Sequence, residues 1–217
     1  MDQFELESRS RDPARAGLRT CQMKRRPLTH AALAAAFAAF TGGASAAEWD
    51  FTVLLDGKPI GSHRFVVEGS DERKVESDAL YEVKLLGLTV YRYRHHASER
   101  WRGECLAALK AHTDDNGAVT DVTKAFDAQA CTWSFAYWNP AIAKQQRLLD
   151  PGTGVLRDVR VAALEPATIT VQGRAVEARR VRISGLAHPI DVWYEGDRWV
   201  GLDTTVGGER RLSYRLP

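Results

Sequence analysis

The amino-acid sequence predicts an all-β, mainly antiparallel domain: a curved sheet or open β-barrel of roughly ten strands with one short helix. Most segments alternate apolar and polar residues with the period of a strand that has one buried face. Turn signals built on glycine, asparagine and aspartate recur about every 8–15 residues, which is typical of successive hairpins. A single stretch departs from this pattern and carries the residues that begin a helix.

The first half of the domain reads as a series of hairpins. The pair Asp56-Gly57 separates two alternating segments, and Asn116-Gly117 is the pair that a type I′ hairpin turn favours. Between these turns, the stretch 88–104 predicts one unusually long strand.

The second half begins with the predicted helix, near residues 139–147. Asn139 is a good N-cap residue, and Pro140 suits the first helical position because its missing N–H has no partner there. Hairpins then follow to the end of the chain. Their predicted turns are Gln172-Gly173, Gly196-Asp197 and Gly207-Gly208.

The N-terminal segment has the pattern of a secretory signal peptide. Residues 24–26 are basic, residues 31–40 are apolar, and residues 44–46 form a small-x-small cleavage pattern. The apolar run is too short to span a bilayer, which needs about 20 residues. We therefore expect export and no integral membrane span in the mature chain.

These features divide the chain into a leader over residues 1–46 and a single β-rich domain over residues 47–217, with cleavage near Ala46 and Ala47. Met23, which directly precedes the basic residues, is a second candidate for the start of translation. The predicted localisation is the periplasm. The domain carries 23 Lys and Arg against 24 Asp and Glu. A nucleic-acid partner is not expected, because such proteins carry a basic excess.

Two cysteines remain after removal of the leader, Cys105 and Cys131. An even number of thiols in an oxidising compartment predicts a disulfide, and a free reactive thiol is the alternative. In the chain-entropy treatment, closing this loop stabilises the folded state by about 3.5 kcal/mol.

The long predicted strand places its residues alternately on two faces. An aromatic face is expected to line the inside of the sheet, and it comprises Tyr91, Tyr93, His95, Ala97, Glu99 and Trp101. A basic face is expected to be solvated, and it comprises Arg92, Arg94, His96, Ser98, Arg100 and Arg102.

No metal site or cofactor is predicted. His95 and His96 point to opposite faces of the strand, so they cannot readily share one ion. His63, His95 and His112 have no ligand spacing that supports a site assembled from distant segments.

The candidate site lies on the aromatic face. His95 and Glu99 share that face, where they can serve as general acid and base, orient a ligand head group, or form a satisfied polar pair at the sheet rim. A second aromatic cluster precedes the predicted helix. The candidate ligand-binding residues are Tyr91, Tyr93, His95, Glu99, Trp101, Trp133, Tyr137 and Trp138.

Five stretches carry a resemblance to a known family: "FTVLLDGKPIGSHRF", "LTVYRYRHHASERW", "YWNP", "LLDPGTG" and "IDVWYEGDRWVGL". From Trp49 onward, the chain resembles an uncharacterised bacterial family of exported β-rich proteins known only as a domain of unknown function. The resemblance implies a periplasmic single domain on a curved antiparallel sheet. It brings no activity and no functional residues.

Three hypotheses about function follow. The leading one is non-catalytic binding of a small apolar or amphipathic, lipid-like ligand in a concave, aromatic-lined sheet, because small open barrels can hold a ligand. The second is an accessory role in the cell envelope, in which an exposed strand edge recruits a protein partner. The third is a hydrolase or isomerase that uses His95 with Glu99.

Overall fold

A computed structural model describes residues 46–217, which form thirteen β-strands and one short 3-10 helix. Within this range no helix has the length and apolar character needed to cross a bilayer. The strands are β1 (Ala46–Leu55), β2 (Lys58–Glu68), β3 (Glu72–Leu85), β4 (Leu88–Arg102), β5 (Cys105–Asp115), β6 (Ala118–Ala125), β7 (Arg147–Leu149), β8 (Leu156–Asp158), β9 (Arg160–Val171), β10 (Arg174–Ser184), β11 (Ile190–Glu195), β12 (Arg198–Val206) and β13 (Arg210–Arg215).

Eleven strands form one antiparallel sheet in the order β6-β5-β4-β3-β2-β1-β13-β12-β11-β10-β9. Two hairpin series, β1–β6 and β9–β13, are joined where β1 pairs with β13. The edge strands β6 and β9 do not pair with each other, so the curved sheet is not closed into a barrel. The predicted all-β class is confirmed, and the open-sheet form of that prediction is the one observed.

Strict alternation explains why these segments become strands with one buried face. In β1, Trp49, Phe51, Val53 and Leu55 are buried, and the residues between them are more exposed. The prediction for the long strand is confirmed by β4, because His95, Ala97, Glu99 and Trp101 are buried and the arginines of the opposite face are exposed. We call this buried side of the sheet the inner face.

Positive backbone φ angles close the tightest hairpins. Asp56, Asn116 and Gln172 each precede a glycine and adopt φ angles of 51°, 52° and 50°. Asparagine and aspartate tolerate this left-handed region, as the type I′ turn requires. Leu86, with φ 52°, occupies the same position between β3 and β4. That residue does not belong to the usual turn-formers.

The predicted helix is present but shorter than expected. It spans Pro140–Lys144, and the Asn139 side chain accepts a hydrogen bond from the Ala141 N–H at 3.0 Å. Gln145 already has extended backbone angles. The segment then continues as β7, because a strand buries Leu148 and its neighbour against the core. The main sheet has eleven strands, close to the expected ten, and the short strands β7 and β8 form a separate pair that was not expected.

Residues 126–159, the connecting segment, join the two hairpin series and pack against the inner face. Trp133 and Trp138 each contact Trp101 edge to face, with ring centroids 5.3 Å and 5.4 Å apart. The Cys105–Cys131 disulfide attaches the start of this segment to β5. The predicted disulfide is therefore present.

Gly61 marks a close approach between β2 and β3. A Cβ atom at this position would lie 1.9 Å from the Leu80 carbonyl oxygen, and that backbone cannot move without disturbing the sheet. We expect Gly61→Ala to lower the free energy of unfolding by about 1–3 kcal/mol, measured by urea denaturation. Gly152→Ala is the matched control, because its methyl group would meet only ordinary contacts at 3.4–3.8 Å. Equal losses in both variants would contradict the explanation.

Candidate functional site

The richest group of polar side chains on the inner face is a histidine–tyrosine cluster. Strand alternation brings its members together from β2, β3, β4, β5 and β13. The cluster comprises His63, Ser77, Tyr81, Tyr93, His95, Thr113 and Tyr214.

His63 lies at the centre of this cluster. Its Nε2 is 2.7 Å from Ser77 Oγ, and its Nδ1 is 3.1 Å from the hydroxyls of both Tyr81 and Tyr214. Those hydroxyls are 2.5 Å apart. Every group is satisfied if Tyr81 donates to Tyr214, Tyr214 donates to Nδ1, and Nε2–H donates to Ser77. His63 is then a neutral imidazole within a chain of hydrogen bonds.

Tyr93 and His95 extend the cluster along β4. The Tyr93 ring stacks on Tyr81 at 5.2 Å, and His95 Nδ1 is 2.9 Å from Thr113 Oγ1. The connecting segment comes close at Gly152, where a methyl group would lie 3.5 Å from Thr113 Oγ1 and 3.8 Å from the Tyr93 hydroxyl oxygen. This part of the cluster therefore lies beneath a loop.

Burial keeps the cluster uncharged. It lowers the pKa of His63 well below the usual histidine value, and proximity to His95 lowers it further, because two adjacent imidazoles cannot both be protonated without repulsion. Burial also lowers the pKa of His95, against the opposing influence of Asp150. It raises the pKa of Tyr214 to about 12. At neutral pH the site thus offers neutral donors and acceptors, which suit hydrogen bonding to a polar group.

His95 and Glu99 both lie on the inner face but do not meet. His95 is bonded to Thr113, while Glu99 Oε2 accepts a hydrogen bond from Trp101 Nε1 at 2.7 Å. Burial raises the pKa of Glu99, although the hydrogen bond from Trp101 opposes the shift. The predicted acid–base pair is therefore not joined by a hydrogen bond.

The predicted tryptophans belong to the packed core. Trp133 and Trp138 each contact Trp101 edge to face, and all three side chains are almost fully buried. Tyr137 is half-buried beside Trp199, with ring centroids 5.6 Å apart. Tyr91 lies at the opposite end of β4, where its hydroxyl donates to Asp115 Oδ1 at 2.7 Å. The eight candidate residues therefore occupy different surroundings along the inner face.

A continuous stripe of side chains runs along β3 and β4 into the cluster. Directly paired residues share a face of the sheet, and an extra residue in β4, Val90, shifts the register between Val83 and Lys84. We call this set the β3–β4 stripe. Its pairs, from the hairpin end inward, are Leu85 with Leu88, Val83 with Tyr91, Tyr81 with Tyr93, and Ala79 with His95.

Exposure falls steadily along the β3–β4 stripe. Leu85 and Leu88 are 62% and 72% exposed, Tyr91 and Tyr93 are half-buried, and His95 is buried. The stripe therefore changes from exposed and apolar to buried and polar over a few residues. An amphipathic molecule has a matching arrangement, with one apolar end and one polar end.

The described residues bring no three histidine, cysteine, aspartate or glutamate side chains together as a metal site. On the outer face, His96 and His112 each pair with an aspartate, and a shallow depression lies beside them. A second depression lies between the end of the 3-10 helix and β9, around Lys144 and Arg160.

Sequence reasoning identified only part of this site. Tyr93 and His95 were predicted, and His63 was considered only as a metal ligand. Tyr81 and Tyr214 were missed, although each alternates with polar neighbours on a strand. The available signal was a tyrosine on the apolar face of a strand, where its hydroxyl needs a partner.

Comparison with known proteins identifies the family. A sequence model described as a domain of unknown function (DUF6134) matches residues 51–216. The chain belongs to DUF6134. No curated protein and no solved structure shows a significant match. The expectation of an uncharacterised family is therefore confirmed, and the DUF6134 match assigns no activity to the cluster.

The lowered pKa of His63 predicts a pH-dependent stability. Below the ordinary histidine pKa of about 6.5, the unfolded chain binds a proton here that the folded protein does not, so stability is lost as pH falls. We expect His63→Gln to flatten this dependence by up to about 1.4 kcal/mol per pH unit. The measurement is urea denaturation of both proteins between pH 7.5 and 5.

Glu99, with its raised pKa, acts in the opposite direction, but it is present in both proteins and cancels in the comparison. Parallel profiles for the two proteins would show that His63 is not held neutral by its surroundings.

Proposed function

We propose that this protein is an exported, non-catalytic binding protein of the bacterial envelope whose ligand is amphipathic and lipid-like. The observation that carries the proposal is the gradient along the β3–β4 stripe, from exposed leucines to a buried, uncharged histidine–tyrosine cluster. A ligand with an apolar tail and a polar head group matches both ends of this gradient.

The apolar end supplies the contact for a tail. Leu85 and Leu88 form a cross-strand pair that is largely exposed to water, and Tyr91 continues the surface. Covering such surface stabilises a complex by about 25 cal/mol per Å² of apolar area removed from water. The polar end supplies hydrogen bonds at Tyr93, which is half-buried and stacks on Tyr81.

The tryptophans among the candidate ligand-binding residues do not line the proposed ligand path. Trp101, Trp133 and Trp138 fill the space between the sheet and the connecting segment, where they stabilise the fold. Among the predicted binding residues, Tyr91, Tyr93 and His95 line the proposed path. Binding is favoured over a hydrolase or isomerase because His95 and Glu99 have separate partners.

Export rests on the sequence, since the leader and signal pattern fall outside the described residues. The Cys105–Cys131 disulfide supports it, because structural disulfides form and persist in oxidising compartments such as the periplasm. We therefore keep residues 1–46 as a proposed leader and residues 47–217 as the mature domain.

Native mass spectrometry tests the proposal with lysophosphatidylethanolamine as the probe. Protein recovered from the periplasm should begin near Ala47 and form a one-to-one complex with this single-chain lipid. Tyr93→Ala and Leu88→Thr should each weaken binding by about tenfold or more, because they remove contacts from the two ends of the stripe. Tyr93→Phe should weaken it less.

Val119→Thr is the matched control. Val119 is 58% exposed on β6, two strands away from β4, and its paired residue Asp114 faces the outer side of the sheet. Val119→Thr should leave binding of the lipid probe unchanged. Wild-type protein that stays bare at every lipid concentration, or equal binding by Leu88→Thr, would refute the proposal.

A second candidate function is the accessory role, which the open edges of the sheet favour. β6 and β9 each leave one side without a neighbouring strand, and such edges can pair with another chain. Pro166 lies within β9 and removes one N–H, so β6 is the more complete edge. Val119→Lys, which places a charge on β6, should then abolish capture of an envelope protein that wild-type protein retains. Unchanged capture would reject this role.

A further inference from the structure

The hairpin between β3 and β4 ends in a two-stranded ribbon, residues 82–92, whose strands pair with each other. Pairing of β2 with β3 stops at Tyr81, and pairing of β5 with β4 stops at Tyr93. Beyond this level the ribbon strands pair with each other, and at the base of the ribbon the Arg92 carbonyl accepts a hydrogen bond from the Asn116 N–H at 2.8 Å. At about 3.3 Å per residue, the ribbon extends roughly 13 Å.

The end of this ribbon is apolar. Leu86 is 95% exposed, and Leu85, Leu88 and Val90 are each more than half exposed. The comparable turns of the described sheet carry Asp56, Asn116 and Gln172 at the position of Leu86. An apolar group at the tip is thus a local departure from the chemistry of the other hairpins.

Leu86 is also in an unfavourable backbone conformation. Its φ of 52° lies in the left-handed region, which disfavours residues with a bulky side chain and which asparagine or glycine occupy more easily. An exposed leucine in this conformation contributes nothing to the stability of the fold in water. Residues in such conformations often mark functional sites.

We propose that the Leu86 tip docks the protein on a phospholipid bilayer surface. A narrow, exposed apolar tip suits a fluid phase, which adapts its shape to whatever enters it. Interfacial insertion requires penetration of only about 5–10 Å, and Leu86 is 95% exposed at the end of the turn.

The charges and aromatic group of the ribbon agree with a lipid surface. Residues 82–92 contain Lys84 and Arg92 against the single acid Glu82, to which both cations are bound. Tyr91 lies at the base of the ribbon. Apolar residues at the tip, with tyrosine and cations behind them, reproduce the order found at membrane interfaces, where cations meet lipid phosphates.

This inference goes beyond ligand binding, because Leu86 belongs to the turn and not to the β3–β4 stripe. Bilayer docking and ligand binding can therefore be tested independently. Leu86→Asn should reduce docking on a bilayer while preserving the binding of a soluble single-chain lipid.

The test is flotation with vesicles of phosphatidylethanolamine and phosphatidylglycerol. Wild-type protein should float with the vesicles, and Leu86→Asn should partition about tenfold less, because one apolar side chain no longer enters the lipid. Gln172→Asn is the matched control, since it places the same residue in the same type of turn on another hairpin. It should float like wild type.

Leu86→Asn should fold at least as stably as wild type, because asparagine tolerates the left-handed region. A loss of flotation with an unchanged melting temperature would therefore report docking and not unfolding. All proteins compared must share one N terminus, verified by intact mass, because an uncleaved apolar run at residues 31–40 would itself bind lipid.

Three results would overturn the proposal. The first is wild-type protein that remains in the soluble fraction, and the second is a Leu86→Asn variant that floats as well as wild type. The third is a wild-type dimer in sedimentation velocity that Leu86→Asn converts to a monomer. In that case the tip contacts a second copy of the chain.

Discussion

The pairing of β1 with β13 is the constraint on which the rest of the structure depends. Four residue pairs, from Thr52 with Arg215 to Leu55 with Leu212, join the two hairpin series into one sheet. Aromatic contacts reinforce this junction: Phe51 lies 4.4 Å from Trp199 and 5.8 Å from Tyr214 between ring centroids. Without the junction, each series would be a smaller sheet with an exposed apolar face, and the connecting segment would have only half of its packing surface.

The same junction assembles the histidine–tyrosine cluster. Tyr214 comes from β13, while His63 and Tyr81 come from the first hairpin series, and the three hydroxyl and imidazole groups satisfy one another. A buried polar group without a partner costs about 1–3 kcal/mol. Correct docking of the last strand is therefore favoured by hydrogen bonding as well as by apolar contact, and the cluster contributes to the register of the sheet.

Local patterns made most of the fold predictable. The faces of β4, the glycine-containing turns and the Asn139 cap follow from alternation, backbone preference and capping, all of which act over a few residues. The three-residue strands β7 and β8 could not be predicted, because they are too short to show a period. The contact between His63 and Tyr214 could not be predicted, because the residues are 151 positions apart and no local sequence pattern reports a contact over that separation. Leu86 escaped because turn chemistry favours other residues at its position.

The position of the junction also determines when the cluster can exist. Hairpins such as β3–β4 connect residues close in sequence and can form early, whereas the pairing of β1 with β13 requires the final strand of the chain. Contacts of such long range are closed late and slowly, because ordering the intervening chain costs entropy before they form. Tyr214 completes the hydrogen-bonded chain around His63, so the cluster is absent from any incompletely folded molecule. Binding at this site would thus be restricted to chains that have finished folding.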